Sequence, residues 1–178
     1  KEKRVTFPEG WTSDKMAERL TANGLPGEAF RLLVRAPKPE WRSDFPFLAS
    51  IPAASSLEGF LFPDTYLFDP EASAETIIER MLKNFETKYD DALRAAAERQ
   101  THSLFEIVTL ASIVEREVAS DRDRRLVSDI FWRRLAIGQP LQSDATVNYA
   151  LGTSKLQPSL TDIGTDSPYN TYRYPGLP

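Results

Sequence analysis

Two glutamates that lie two positions apart, Glu115 and Glu117, stand in a segment that otherwise has the composition of an apolar helix. Ser103 followed by Glu106 has the form of a capping box, which predicts that this helix begins there. At roughly 100° per residue, Glu115 lies within about 20° of Val108, whereas Glu117 lies about 180° from it. We therefore expect Glu115 to be buried or to line a cavity, and Glu117 to be a solvated charge. The predicted apolar face comprises Leu104, Ile107, Val108, Ala111, Val114 and Val118.

The position of Glu115 has a chemical and a structural interpretation. Burial disfavours the charged form of a carboxyl group and raises its pKa, so that a glutamate becomes a proton donor near neutral pH. The structural alternative is a buried glutamate paired with another group, or a side chain that reaches the edge of the apolar face. Structural networks perturb pKa values too, so a shifted pKa does not by itself indicate catalysis. The helix by itself favours the structural alternative, and the rest of the chain has to decide.

The composition narrows the possible functions. The chain of 178 residues carries a net charge of −4, and this acidic balance argues against nucleic acid as a partner. It has no cysteine, which excludes disulfides, thiolate metal sites and a cysteine nucleophile. His102 is the single histidine, which excludes a histidine-rich metal site. We expect no metal and no cofactor. No run of about 18 apolar residues is present, which predicts no membrane span and no retained signal peptide.

The elements that would position these residues are mostly helices. Residues 5–7 are predicted to form a strand, and Thr12 or Ser13 to cap a helix that stops near Gly24. The proline-rich segment 36–46 is a loop or linker and marks a domain boundary. Further helices are predicted to begin near Ala74, Ser103 and Ser120.

We predict an α+β fold with two parts. Residues 1–50 form a small βα subdomain, and residues 51–178 form a mainly helical domain with short strands. Two of these strand pieces are expected around a turn in residues 57–68.

Polar and aromatic residues gather in three stretches with little helical or strand pattern of their own, at 58–66, 141–149 and 167–172. Each combines amide, hydroxyl and carboxylate groups with aromatic rings. This mixture suits a groove for glycans, since sugars present hydroxyl edges and apolar faces. The alternative is that the stretches are turns, where Asn, Asp, Ser, Thr and Pro gather for backbone reasons. Considered singly, each stretch favours the turn.

Considered together, the stretches and the glutamate helix resemble a family. The motifs are Glu-Gly-Phe-Leu-Phe-Pro-Asp-Thr-Tyr at 58–66, Ala-Ser-Ile-Val-Glu-Arg-Glu at 111–117, Leu-Gln-Ser-Asp-Ala-Thr-Val at 141–147 and Asn-Thr-Tyr…Gly-Leu-Pro at 170–178. In this order they resemble the endolytic murein transglycosylases of the MltG (YceG-like) family. The amino-terminal strand, turn and helix also resemble the LysM-type subdomain of that family, which implies either glycan contact or a purely structural support.

The resemblance implies that Glu115 is the catalytic glutamate. Such enzymes cut the bond between N-acetylmuramic acid and N-acetylglucosamine within peptidoglycan strands and leave a 1,6-anhydro end. Most glycoside hydrolases need two carboxylates. Here the sugar's own C6 hydroxyl attacks, and such intramolecular attack contributes about 7–11 kcal/mol, enough to replace a second protein group. Glu115 would act first as the acid and then as the base.

The resemblance also implies a set of substrate-binding residues in the motif stretches. Glu58 would order the surroundings of Glu115 or, if close, raise its pKa by like-charge repulsion. A helix cap or a loop brace is the alternative for Glu58 and Asp144. The substrate-binding set comprises Glu58, Gln142, Asp144, Thr146, Tyr149, Asn170 and Tyr172.

The family pattern carries further expectations about surroundings and partners. Ala145 and Asn148 depart from it, which affects local loop shape only. The chain stops at Pro178 where the family continues, so we expect a truncated carboxy-terminal tail. The family's membrane anchor is absent, and we expect an excised portion that acts on the outer face of the cytoplasmic membrane. Its partners would be peptidoglycan glycan strands and peptidoglycan synthases, with membrane contact only through the missing anchor.

Two other functions remain open from the sequence. The first is a non-catalytic glycan-binding or scaffolding module of the cell-wall synthesis machinery. The second is an ordinary glycoside hydrolase in which Glu58, Asp64 or Asp144 supplies the second carboxylate.

Overall fold

A single two-stranded antiparallel sheet joins distant parts of the chain in the computed structural model, which describes residues 1–178. Strand β1 (Lys3–Thr6) pairs with β2 (Thr65–Phe68), with Val5 opposite Tyr66. The first of the two strand pieces expected in residues 57–68 is absent, so that prediction is wrong. Residues 57–61 instead form a turn in which Gly59 has a φ of 85°, a conformation that a regular strand does not contain.

Two short helices follow β1 and pack closely. Helix α1 (Ser13–Ala22) is capped by Thr12, as predicted, whose hydroxyl accepts a hydrogen bond from the Lys15 backbone. Helix α2 (Gly27–Arg35) was not predicted. A Cβ atom at Gly27 would lie 2.1 Å from the Ala17 carbonyl oxygen, so only glycine permits this approach of the two helices.

The remaining helices of this part are α3 (Trp41–Asp44), a 3-10 helix (Pro46–Ser50), α4 (Ala74–Lys88) and α5 (Asp91–Glu98). The predicted start of α4 is confirmed, since Ser73 caps it. Its inward face follows helical spacing and buries Ile77, Ile78, Met81 and Leu82.

The chain divides into two compact units, Lys1–Phe105 and Glu106–Pro178. The proline-rich segment 36–46 therefore lies inside the first unit and is not a linker between units. The physical reason is the pairing of β1 with β2, which closes the first unit around that segment. The boundary observed at 105/106 does not coincide with the expected one at 50/51.

The second unit is helical. Helix α6 (Leu104–Glu117) starts directly after Ser103, and α7 (Asp121–Ala136) is capped by Ser120, both as predicted. They are followed by α8 (Asp144–Leu151) and α9 (Leu160–Ile163). The core of this unit consists of Leu110, Ile113, Val114, Phe131 and Leu141.

The mixture of one small sheet with many helices confirms the α+β class. None of the helices combines the length and apolar character needed to cross a membrane.

Candidate functional site

Helix α6 presents a different face to the core than its sequence suggested. The buried residues are Leu110, Ile113 and Val114, while Ala111 is exposed. Relative to Leu110, Glu117 lies within about 20° and Glu115 about 140° away at 100° per residue. The expectation of a buried Glu115 is therefore wrong, because the helix has two apolar stripes and the core of the second unit takes the other one. Glu115 is exposed at the carboxyl-terminal turn of α6.

Glu117 is the glutamate that bonds to the neighbouring structure. Its Oε1 atom accepts a short hydrogen bond from the Ser143 hydroxyl, 26 residues further along the chain. Ser143 is 2% exposed, although Glu117 itself remains largely exposed. The prediction that Glu117 is solvated agrees with its exposure, but the prediction did not include the hydrogen bond that one of its oxygens accepts from a buried hydroxyl.

The second and third motif stretches are joined through Thr171. The Ser143 backbone N–H donates to the Thr171 hydroxyl at 3.1 Å, and the hydroxyls of Thr146 and Thr171 share a hydrogen bond of 2.9 Å. The Gln142 backbone N–H donates to the Thr171 carbonyl at 3.1 Å. Gln142 has a φ of 56°, a left-handed conformation that residues with side chains rarely adopt. The two stretches thus form one interlocked loop pair.

Tyr172 and Asp144 form the main polar pair of this loop pair. The Tyr172 hydroxyl donates to Asp144 Oδ1 at 2.6 Å. Burial raises the pKa of Tyr172 to about 12, and the hydrogen bond to Asp144 with the charges of Asp144 and Glu117 adds to this, against an opposing effect of Arg134. The phenol therefore stays protonated at neutral pH and remains a hydrogen-bond donor.

Two of the predicted binding residues hold the loops together. Asn170 is fully buried, and its amide nitrogen donates to the carbonyls of Ile163 and Thr165. Thr146 is 4% exposed and bonds to Thr171 and to the Ser143 carbonyl. Both side chains therefore build the loop shape from within.

An aromatic pair lies at the surface of the same two stretches. The rings of Tyr149 and Tyr169 meet edge to face, with centroids 5.0 Å apart, and both residues are 43% exposed. Exposed rings of this kind can pack on the apolar face of a sugar.

Glu58 belongs to the first unit and braces α1. Its carboxylate accepts hydrogen bonds from the Ser13 backbone N–H, at 3.0 Å to Oε1, and from the Ser13 hydroxyl. Burial raises the pKa of Glu58, against the lowering effect of the Ser13 hydrogen bonds. Asp64, in the same motif, accepts from Asn84 at 3.0 Å, and its pKa is lowered chiefly by the Thr65 backbone N–H.

We expect Glu58→Ala to lower the free energy of unfolding by about 1–3 kcal/mol, because the amino-terminal donors of α1 lose a buried acceptor. Glu58→Gln keeps an acceptor and is the matched control. The pKa of Glu58 in the folded state lies above the ordinary 4.5, which means that folding disfavours the charged carboxylate relative to the unfolded chain. Wild-type stability relative to Glu58→Gln therefore rises as the pH falls through the folded pKa towards 4.5. Urea unfolding between pH 4 and pH 8 measures this, and a parallel pH dependence of both proteins would contradict it.

The residues that the sequence analysis missed are Glu117, Ser143, Thr171, Arg134 and Tyr169. The helical spacing of Leu110, Ile113, Val114 and Val118 could have indicated Glu117. Glu117 follows Leu110 by seven residues and therefore lies on the same face of the helix. Arg134 donates to the Leu141 carbonyl at 2.7 Å, a contact between loop and helix that no local pattern encodes.

No cluster of three or more His, Cys, Asp or Glu side chains is placed to hold a metal ion.

Comparisons with known proteins agree over the whole chain. A protein-family model described as the YceG-like family matches residues 1–178. A protein of Bacillus subtilis (strain 168) named endolytic murein transglycosylase is 40% identical over 122 residues, which cover 68% of this chain and 34% of that protein. A protein of the same name from Streptococcus pneumoniae serotype 2 is 33% identical, over 97% of this chain and 35% of that protein.

A solved structure has the same fold. The crystal structure of a yceG-like protein from Listeria monocytogenes superposes with a TM-score of 0.85 at 33% sequence identity, covering 99% of this chain and 61% of that one. The chain thus spans about a third of the length of the curated relatives that it matches.

Proposed function

The chain belongs to the YceG-like family, and from this membership we propose that it is the part of a lytic transglycosylase that cleaves peptidoglycan strands. One observation carries the proposal. The last turn of α6 holds the exposed Glu115 two residues before Glu117, and Glu117 is bonded to Ser143 of the loop pair that carries Asp144 and Tyr172. One exposed carboxylate on a helix that is bonded to a polar, aromatic loop pair suits a single-glutamate glycan-cleaving enzyme.

Glu115 serves as acid and then as base in the proposed reaction. It donates a proton to the glycosidic oxygen between N-acetylmuramic acid and N-acetylglucosamine as the bond from C1 to that oxygen breaks. The C6 hydroxyl of the same muramic acid ring attacks C1, and the Glu115 carboxylate takes its proton. A 1,6-anhydro ring results and no water is consumed. The tethered attack contributes about 7–11 kcal/mol relative to a free nucleophile, which removes the need for a second carboxylate.

Because Glu115 is exposed, water has to be excluded from its carboxylate by something other than the protein. A proton transfer of this kind works best where water is excluded, and the protein alone does not cover Glu115. We therefore propose that the bound glycan strand itself covers the carboxylate.

The loop pair is the proposed glycan-binding surface. Tyr172 and Asp144 present a polarised hydroxyl and a carboxylate, which suit the hydroxyl and acetamido groups of the sugar. Gln142 is exposed at the edge of this loop, and Tyr149 offers an exposed ring for a sugar face. Thr146 and Asn170 contribute indirectly by holding the loops.

We expect Tyr169→Ala to raise KM for glycan strands about 2- to 12-fold with little change in kcat. The lost ring contact is worth about 0.5–1.5 kcal/mol, and each 1.4 kcal/mol is tenfold in binding. Tyr169→Phe retains the ring and should keep the wild-type KM. Initial rates on strands of defined length measure this, and an unchanged KM in Tyr169→Ala would exclude the ring from substrate binding.

The first unit is proposed to support the second in glycan recognition. Its strand β1, helices α1 and α2 and strand β2, with α3 and the 3-10 helix inserted before β2, are compatible with a LysM-like subdomain. The wider proposal places the protein in the cell envelope, on the outer face of the cytoplasmic membrane, with peptidoglycan synthases as partners. The names of the relatives, which refer to murein, support an extracytoplasmic site of action.

The product decides between the proposed reaction and its alternatives. Purified sacculi are digested and the muropeptides are analysed by mass spectrometry. Anhydro products support the transglycosylase, products that have gained one water support an ordinary hydrolase, and binding without cleavage supports a scaffolding module.

A further inference from the structure

The two glutamates at the end of α6 have different surroundings. Glu115 is exposed, while Glu117 accepts the hydrogen bond from Ser143. Both residues belong to the last turn of α6, where side chains two positions apart point to different sides of the helix. The hydrogen bond of Glu117 therefore joins the turn that carries Glu115 to Ser143.

Ser143 uses its hydroxyl in an unusual way. It occupies the N-cap position of α8, where a serine side chain normally accepts a hydrogen bond from the first turn of its own helix. Here the side chain makes no such cap and donates to Glu117 instead. The start of α8 thus forgoes a local stabilising bond and is joined to the end of α6.

This connection reaches the proposed substrate-binding pair. Asp144 is the residue directly after Ser143 and accepts the hydrogen bond from Tyr172 at 2.6 Å. The Ser143 backbone is held by Thr171, the residue directly before Tyr172. Ser143 therefore lies between Glu117 on one side and the pair of Asp144 and Tyr172 on the other.

Electrostatics agree with this arrangement. The negative charge of Glu117 acts on the Tyr172 phenol together with that of Asp144, while Arg134 acts in the opposite direction. The four groups accordingly belong to one local cluster.

We propose that Glu117 is a positioning residue, whose hydrogen bond to Ser143 sets the place of Asp144 and Tyr172 relative to Glu115. The inference rests on the proposed transglycosylase function, in which Glu115 transfers the proton. Glu117 itself does not contact the reacting atoms. It keeps a glycan strand that is bound on the loop pair in register with the acid.

Steady-state kinetics on glycan strands of defined length test this role. We expect Glu117→Ala to lower kcat roughly 10- to 100-fold while KM changes less than about threefold, because the strand still binds but the acid is misplaced, and small misplacements cost up to about 10²-fold. Glu117→Gln retains an acceptor oxygen for Ser143 and is expected to keep kcat within about threefold of wild type. A wild-type kcat in Glu117→Gln would mean that the hydrogen bond to Ser143, and not the negative charge of Glu117, supports the reaction.

A double-mutant cycle assigns the effect to the pair. Ser143→Ala should reproduce the loss of kcat in Glu117→Ala, and the double variant should be no slower than either single variant. Independent effects that multiply would overturn the proposal, as would wild-type kcat in Glu117→Ala. If circular dichroism shows that Glu117→Ala does not fold, the other two variants still test the proposal. Ser143→Ala must then lower kcat, and Glu117→Gln must keep it.

The outcome is separable from that for the proposed function. If Glu115→Gln still forms anhydro products, the proposed function fails. If Glu115→Gln is inactive but Glu117→Ala and Ser143→Ala retain full kcat, the reaction stands and only the positioning role is overturned.

Discussion

Replacement of Glu115 by glutamine is expected to abolish the formation of anhydro-muropeptides from purified sacculi, with kcat lowered roughly 10³-fold or more. General acid–base catalysis by one side chain contributes typically about 10²–10⁴-fold, and here the same carboxyl would serve both steps. Glutamine has nearly the same shape but can neither donate the proton to the glycosidic oxygen nor accept the one from the C6 hydroxyl. Because Glu115 is exposed, the substitution should leave the fold and its thermal stability unchanged.

Glu98→Gln is the matched control for this experiment. Glu98 is also an exposed glutamate at the end of a helix, α5, and its replacement should not alter the product yield. Anhydro products formed by Glu115→Gln at the wild-type rate would remove Glu115 from the mechanism. If cleavage continued with the addition of water, the ordinary hydrolase would become the better hypothesis, with Asp144 as the alternative carboxylate in the second unit.

Replacement of Thr171 by valine is expected to lower the free energy of unfolding by about 1–3 kcal/mol. Thr171 is 1% exposed, and its hydroxyl accepts from the Ser143 backbone and bonds to Thr146. Valine fills the same volume but leaves the buried Ser143 N–H without an acceptor, which costs about 1–3 kcal/mol, while Thr146 keeps its hydrogen bond to the Ser143 carbonyl. Activity should fall as well, because the loops that carry Asp144 and Tyr172 lose their connection.

Thr171→Ser isolates the role of the hydroxyl. It keeps the donor and acceptor and loses one methyl group, which is worth only about 0.8 kcal/mol. Chemical denaturation of the three proteins measures the differences. A Thr171→Val variant as stable as Thr171→Ser would mean that the hydroxyl does not hold the two motif stretches together.

Local sequence patterns were sufficient to predict the four longest helices, α1, α4, α6 and α7. The caps at Thr12, Ser73 and Ser120 act on backbone donors only three residues away, so that a short window of sequence contains both partners. The inward face of α4 follows helical spacing, since this helix has a single apolar stripe. Some residues of the polar loop pair, among them Asp144 and Tyr172, were predicted from the motifs in the stretches at 141–149 and 167–172.

Long-range packing was not predictable in the same way. The segment 36–46 looks like a linker, but β1 and β2 pair across it and enclose it in the first unit. The register of that pairing depends on residues about 60 positions apart. A proline-rich composition indicates local backbone preferences, but it does not show that the strands on either side of the segment pair with each other.

The sequence by itself determined that α6 exists, that it ends in two carboxylates and that polar loops accompany it, because these features depend on neighbouring residues. Only the tertiary structure decided which of the two carboxylates bonds to the neighbouring loop. Helix α6 carries two apolar stripes, and helical periodicity alone does not choose between them. The packing of Leu110, Ile113 and Val114 with Phe131 and Leu141 rotates the helix so that Glu115 faces outward and Glu117 meets Ser143. That choice is made by contacts between residues far apart in the chain, which is why it became visible only in three dimensions.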